Sequence, residues 1–124
     1  MAEKSAESAF PVRVVEDELA EDLTHATEAA RAAIEAVVDE LRDGGAPVDW
    51  LRPCEAEARD GTELADCVKL YIPRPAGQWG VVLSVDRETS GPALVLLAVG
   101  ERHPGRPWRP SVYQIAHRRL HAGE

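Results

Sequence analysis

The chain has few of the features that usually announce a function. Its 124 residues include 2 cysteines, 1 phenylalanine, 2 tyrosines and 3 tryptophans. Two cysteines, Cys54 and Cys67, cannot build a disulfide framework, and their spacing is not that of a zinc site. Reduced thiols are the expectation, with a single Cys54–Cys67 bridge left open. No apolar run approaches the roughly 20 residues that a membrane span requires, so no membrane partner is expected. The first ten residues, MAEKSAESAF, lack the apolar core of a secretory signal, and a cytoplasmic location is the expectation. GxGxxG, P-loop, HExxH and GxSxG patterns are all absent. Gly105-Arg106-Pro107 is not a phosphate loop. His103, His117 and His121 are too dispersed for a metal site, so neither metal nor cofactor is expected.

Positive charge is also scarce, but it is unevenly spread. Residues 1–66 carry 18 acidic and 6 basic side chains, a net of −12, while residues 67–124 carry 4 and 8, a net of +4. Three of the four histidines fall in the basic half. The asymmetry points to a local anion-binding face on an acidic protein. A net charge of −8 weighs against strong non-specific nucleic-acid binding, which scales with the phosphates neutralised.

What is present is a well-punctuated chain. Residues 1–9 are small and charged and read as a disordered tail, leaving 10–124 as one domain. Phe10 to Val15 is a short strand candidate that Pro11 confines to an edge or to its first position. From Glu16 to Asp43 the apolar residues Ala29, Ala30, Ala33, Ile34, Val37, Val38 and Leu41 follow the 3.6-residue period, and Leu19 and Leu23 extend that face backwards. Thr24 and Thr27 are candidate N-caps, with Thr27 dividing the segment into a helical hairpin, and Gly44-Gly45 ends it. The acidic residues of this segment are expected on its solvated face. Trp50 and Leu51, in an irregular stretch, are expected to tuck into the core.

Three strand candidates follow: 64–72, 78–86 and 92–99. Their connections are rich in Pro and Gly, and connections this short imply an antiparallel meander. The third, centred on Leu94-Val95-Leu96-Leu97-Ala98-Val99, is continuously apolar and predicts a strand buried on both faces. Val112, Ile115, Ala116 and Leu120 then take helical spacing. The expected fold is α+β: an N-terminal strand and helical hairpin packed on an antiparallel sheet meander, closed by a C-terminal helix.

The chemistry gathers around the third strand. Cleaving RNA through its own 2′-hydroxyl needs a base for the 2′ proton, cations for the phosphorane and an acid for the leaving 5′-oxygen. Lys69 lies on the first meander strand, Arg102 at the end of the third, and Tyr113 and His117 on the terminal helix, so all four can converge. Trp79 or Trp108 can stack on a base, and Arg74 and Arg118 are further candidate nucleic-acid contacts. The bland alternative is a core strand, a solvated loop and a surface helix.

Three local patterns resemble the RelE/ParE superfamily of toxin–antitoxin toxins over roughly residues 10–122. Val68-Lys69-Leu70-Tyr71 looks like the family's basic first strand. Gln78-Trp79-Gly80-Val81-Val82-Leu83-Ser84-Val85 sits where the family has its middle strand, with Trp79-Gly80 in place of an arginine. Val95 to Arg102, followed by Val112-Tyr113 and Ala116-His117-Arg118-Arg119-Leu120, looks like the last strand and closing segment. The resemblance implies a RelE-like, metal-independent mRNA endoribonuclease acting at the ribosome and held inactive by an antitoxin protein. It matches Lys69 to the strand lysine, Arg102 to the phosphate-holding arginine and Tyr113 to the C-terminal tyrosine; His117 is added on its chemistry alone. Two alternatives stay open: a ParE-like gyrase inhibitor, and a RelE-like binding module that is no toxin.

Overall fold

The computed structural model describes residues 9–122. The expected tail lies outside these residues except for Ala9, which is already in a strand. Elements follow in the order β1 (Ala9–Phe10), β2 (Val12–Val14), α1 (Glu16–Leu23), α2 (Glu28–Gly44), β3 (Ala46–Pro47), a 3-10 turn (Val48–Trp50), β4 (Arg52–Pro53), β5 (Cys67–Tyr71), β6 (Trp79–Val85), β7 (Leu94–Glu101) and α3 (Val112–Leu120). The architecture is the expected α+β one.

Strands β5, β6 and β7 form the antiparallel meander, each pairing with the next. Two short strands complete a sheet of order β2-β7-β6-β5-β4. The N-terminal strand candidate splits at Pro11: β1 pairs with β3 in a separate two-stranded ribbon, while β2 runs parallel to β7. The sheet is therefore mixed rather than purely antiparallel. Pro11 has no N–H to give to a ladder, but its carbonyl accepts from Leu94 N–H at 2.9 Å.

The helical hairpin divides where its caps predict. The Thr27 hydroxyl accepts from Ala30 N–H at 3.2 Å and starts α2. At the other end Gly45 sits at φ 83°, and a Cβ there would meet the Phe10 carbonyl oxygen at 2.6 Å. Only glycine fits both the turn and the close approach of β1.

Both faces of the sheet are covered. Leu19, Leu23, Ile34, Val38 and Leu41 of α1 and α2 pack on Leu70, Val81, Leu83, Leu96 and Val99. Val112 and Ala116 of α3 pack on the opposite face against Cys67, Val82, Leu97 and Ala98. The unbroken apolar run of β7 thus serves two cores, helped by an irregularity near Val82/Leu83 that re-aims neighbouring side chains. Two expectations need correction. Trp50 is 41% exposed on the 3-10 turn, and of the expected pair only Leu51 packs against the core. Asp22, one of the acidic residues expected in solvent, is 6% exposed.

Asp22 is buried because an edge needs it. Strand β2 accompanies β7 only over Leu94–Leu96. Beyond that point Asp22 Oδ2 accepts from Val99 N–H at 2.9 Å, and Arg119 Nη1 donates to the Leu97 carbonyl at 3.0 Å. The two side chains close the arrangement between themselves, with Arg119 Nη2 on Asp22 Oδ1 at 2.8 Å and Nη1 on Oδ2 at 2.9 Å. Backbone groups that no strand pairs are thereby satisfied, and α3 is tied to α1.

Candidate functional site

The site is built where the meander's strand ends meet the first turn of α3. Lys69 and Tyr71 stand two apart on β5, so the pleat puts them on one face. Arg102 follows the last residue of β7 and its backbone amide donates to the Gln78 carbonyl at 2.8 Å, which holds it to the sheet end. Its side chain runs back across Gly80. A Cβ at Gly80 would meet Arg102 Cγ at 3.0 Å and Cδ at 3.2 Å, so the missing side chain is the arginine's bed. The guanidinium carbon then lies 4.2 Å from the centroid of the Tyr71 ring. Arg102 Nη2 donates to the Gly77 carbonyl at 3.1 Å, and the buried Nε has no hydrogen-bond partner among the described residues.

Tyr113 arrives from the opposite side. A capping box starts α3: Ser111 Oγ accepts from Gln114 N–H at 3.2 Å and the Gln114 side chain accepts from Ser111 N–H at 2.9 Å. Gly100 lets this helix start press on β7, since a Cβ there would stand 3.3 Å from Val112 Cα. Tyr113 consequently faces β5, and Lys69 Nζ lies 5.2 Å from its ring centroid and 5.9 Å from that of Tyr71. Burial pushes the Tyr113 phenol above its usual value, with Lys69 and Arg102 pulling the other way.

Lys69, Arg102 and Tyr113 therefore share one cleft, as predicted. It encloses about 660 Å³ and is also bordered by Arg59, His103, Arg106 and Arg109, with Glu55 and Asp60 as its carboxylates. Among the described residues neither Lys69 nor Arg102 forms an ion pair. Arg106 and Arg109, in contrast, lean on Glu101 at 3.8 and 3.4 Å. Cations that a fold leaves without carboxylates, in a concave surface beside two phenols, suit an anionic ligand.

The other predicted residues lie elsewhere. His117 does not join the cleft: its Nδ1 accepts from Glu63 N–H at 2.9 Å, and its ring stacks obliquely on His121 at 4.5 Å. Four residues further along α3 than Tyr113, it is taken up by the 54–66 loop and orders that loop. Trp79 is 8% exposed in the main core and is not placed to stack on a base, whereas Trp108 is 78% exposed. Arg74 is exposed in the β5–β6 turn, away from the cleft lining. Arg118 is exposed beside Trp108, where it borders two other depressions.

Sequence reasoning missed Tyr71, Gly80, Arg59 and the Asp22–Arg119 pair. Tyr71 carried a signal, the two-residue spacing from Lys69 on a strand. Asp22 carried one too, since it falls between Leu19 and Leu23 on the apolar face of α1. Arg59 had none, because the loop that brings it to the cleft has no periodicity. The cysteines are free: Cys54 N–H donates to the Cys67 carbonyl at 3.1 Å, and burial pushes the Cys67 thiol up to about 12. No helix among the described residues is long and apolar enough to cross a membrane. No protein family, no curated protein and no solved structure matches the chain.

Proposed function

We infer that the cleft binds the phosphodiester of RNA and cleaves it, and that the protein is a RelE-like toxin acting in the cytoplasm on mRNA at the ribosome and silenced by an antitoxin. The observation that carries this reading is the convergence of Lys69, Arg102 and Tyr113, from three separate elements, with no carboxylate among the described residues paired to either cation. Guanidinium and ammonium groups can supply the positive charge that the reaction needs, so the scheme routes no step through a metal.

The chemistry runs as follows. The planar fork of Arg102, backed by Tyr71, holds two non-bridging oxygens, and Lys69 adds charge as the phosphorane forms. The 2′-oxygen bonds to phosphorus while the bond from phosphorus to the 5′-oxygen breaks. A phenol is protonated at neutral pH, and burial pushes Tyr113 further in that direction, so it serves as acid and gives its proton to the departing 5′-oxygen. The 2′ proton passes to water or to the His103 imidazole at the cleft border. The products are a 2′,3′-cyclic phosphate and a free 5′-hydroxyl.

Induced expression tests the reading. Growth arrest with mRNA cleavage on ribosomes is the expected result for the native chain, and neither for a stably folded Arg102→Ala variant. Gyrase-linked DNA breaks instead of RNA cleavage would transfer the protein to the ParE-like class. The net charge of −8 favours a second reading, a binding module whose basic character is confined to one cleft; it predicts RNA binding with no cleavage and no arrest.

A further inference from the structure

The 103–110 loop is fixed in a way that core packing does not require. Arg109 N–H donates to the Arg106 carbonyl at 3.1 Å, closing a β-turn with Pro107 and Trp108 at its tip. Glu101 holds both flanking arginines, at 3.8 Å from Arg106 and 3.4 Å from Arg109. The turn thus presents the most exposed large apolar side chain of the described residues, Trp108. A single exposed apolar side chain is ordinary on a protein surface, so its neighbourhood decides whether anything covers it.

The surroundings indicate what does. A depression of about 400 Å³, bordered by Trp108, His117 and Arg118, shares Asp60, Thr62, Pro107 and Gln114 with the main cleft. The two form one trough that leads from Arg102 out to Trp108. The shared carboxylate, Asp60, accepts from Thr62 N–H at 3.1 Å and Thr62 Oγ1 at 2.8 Å, so it is engaged within its own loop. Arg118 is exposed, and among the described residues it forms no ion pair.

We propose that this trough is the path of a single RNA strand, with a base beyond the two nucleotides that flank the scissile phosphate stacked on Trp108 and the phosphate next to that base held by Arg118. This rests on the reading of the main cleft as an RNA site and extends it to a length requirement. A dinucleotide fills the main cleft alone; a longer strand reaches the tryptophan. Base stacking on an aromatic side chain tolerates any sequence, so the extension adds affinity and strand length without adding a sequence preference.

The test uses 2′-O-methyl oligoadenylates, which cannot cleave themselves, as a dimer and a hexamer in anisotropy titrations at low salt. The native chain should bind the hexamer about tenfold or more tightly than the dimer, within the range that stacking one base supplies. Trp108→Ala should lose that gain and bind the dimer as before, Trp108→Phe should keep most of it, and Arg118→Ala should lose part of it together with some salt dependence. Native binding of the hexamer with no loss in Trp108→Ala would overturn the proposal and leave the cleft reading intact. Failure of the native chain to bind either length would overturn both. Loss of a co-purifying antitoxin, with hexamer binding unchanged in Trp108→Ala, would assign the turn to a protein interface and overturn the RNA path.

Discussion

Arg102 and Arg119 lie in the same 94–120 stretch and are used in opposite ways. Arg119 meets a buried carboxylate with both ends of its fork and also caps a strand carbonyl. Arg102 has a tyrosine ring, a glycine bed and one carbonyl, and no carboxylate among the described residues. A cation whose charge is answered inside the fold holds the fold together. A cation that is positioned but not neutralised is ready for a ligand. The difference between the two regions lies in their neighbours, and residue type alone does not reveal it.

The sharpest way to break this contrast is at the structural arginine. Asp22→Ala takes from Arg119 its buried carboxylate, leaving Glu21 at 3.0 Å and Glu18 at 4.0 Å, and leaves the Val99 amide without its acceptor. Losing one partner of a buried, hydrogen-bonded pair costs about 3 kcal/mol or more. Urea denaturation should show that loss, whereas a midpoint near the native one would mean that water replaces the carboxylate and that the pair is dispensable.

Arg102→Ala should behave in the reverse sense. Stability should change by no more than about 1 kcal/mol, the size of a cation–π contact, while RNA cleavage falls on the order of 100-fold. Gly80→Ala refines the same point without touching a charge. Its methyl group would crowd Arg102 Cγ and Cδ, so the arginine side chain must shift by a few tenths of an ångström over the Tyr71 ring. Activity about tenfold lower, with Arg102 still present, is the expected outcome; full activity would show that the bed is not needed.

A smaller effect separates a second structural arginine by pH. Asp86 accepts from Arg13, Glu88 N–H and Thr89, and its hydrogen bond with Arg13 leads in holding its carboxyl down at about 2. An aspartate in the unfolded chain titrates near 3.9. The stability from this group is therefore fully present above about pH 4 and is lost as pH falls toward about 2. Asp86→Asn should flatten that acid limb of the stability curve; an unchanged limb would place the acid sensitivity in other carboxylates. The smallest effect is at His117, where replacement by Gln should leave cleavage within about twofold, because the imidazole serves the 54–66 loop and not the cleft.

Much of this organisation was legible in the sequence, and the reasons are specific. The meander followed from three apolar runs with short Pro/Gly connections, and the hairpin from Thr27 and Gly45. Lys69, Arg102 and Tyr113 were found because each lies at the end or on the face of a periodic element. What escaped depends on contacts between distant segments. Trp79 and Trp50 carry the same side chain, but the β6 pairing buries one and the 3-10 turn exposes the other. Tyr113 and His117 share a face of one helix, yet only the second is hydrogen-bonded into the 54–66 loop, through Glu63 N–H. The parallel pairing of β2 with β7 crosses about 80 residues of chain and leaves no local mark.

The central claim is that the unneutralised arginine of the cleft acts on RNA, and one experiment meets it directly. Ribosomes programmed with mRNA are incubated with the native chain and with Arg102→Ala, both shown by denaturation to be equally folded, in the presence of a chelator. The account predicts cleavage ending in 2′,3′-cyclic phosphates by the native chain and at least about 100-fold less by the variant. Equal cleavage by the two proteins, or none by the native chain on any mRNA, would contradict it.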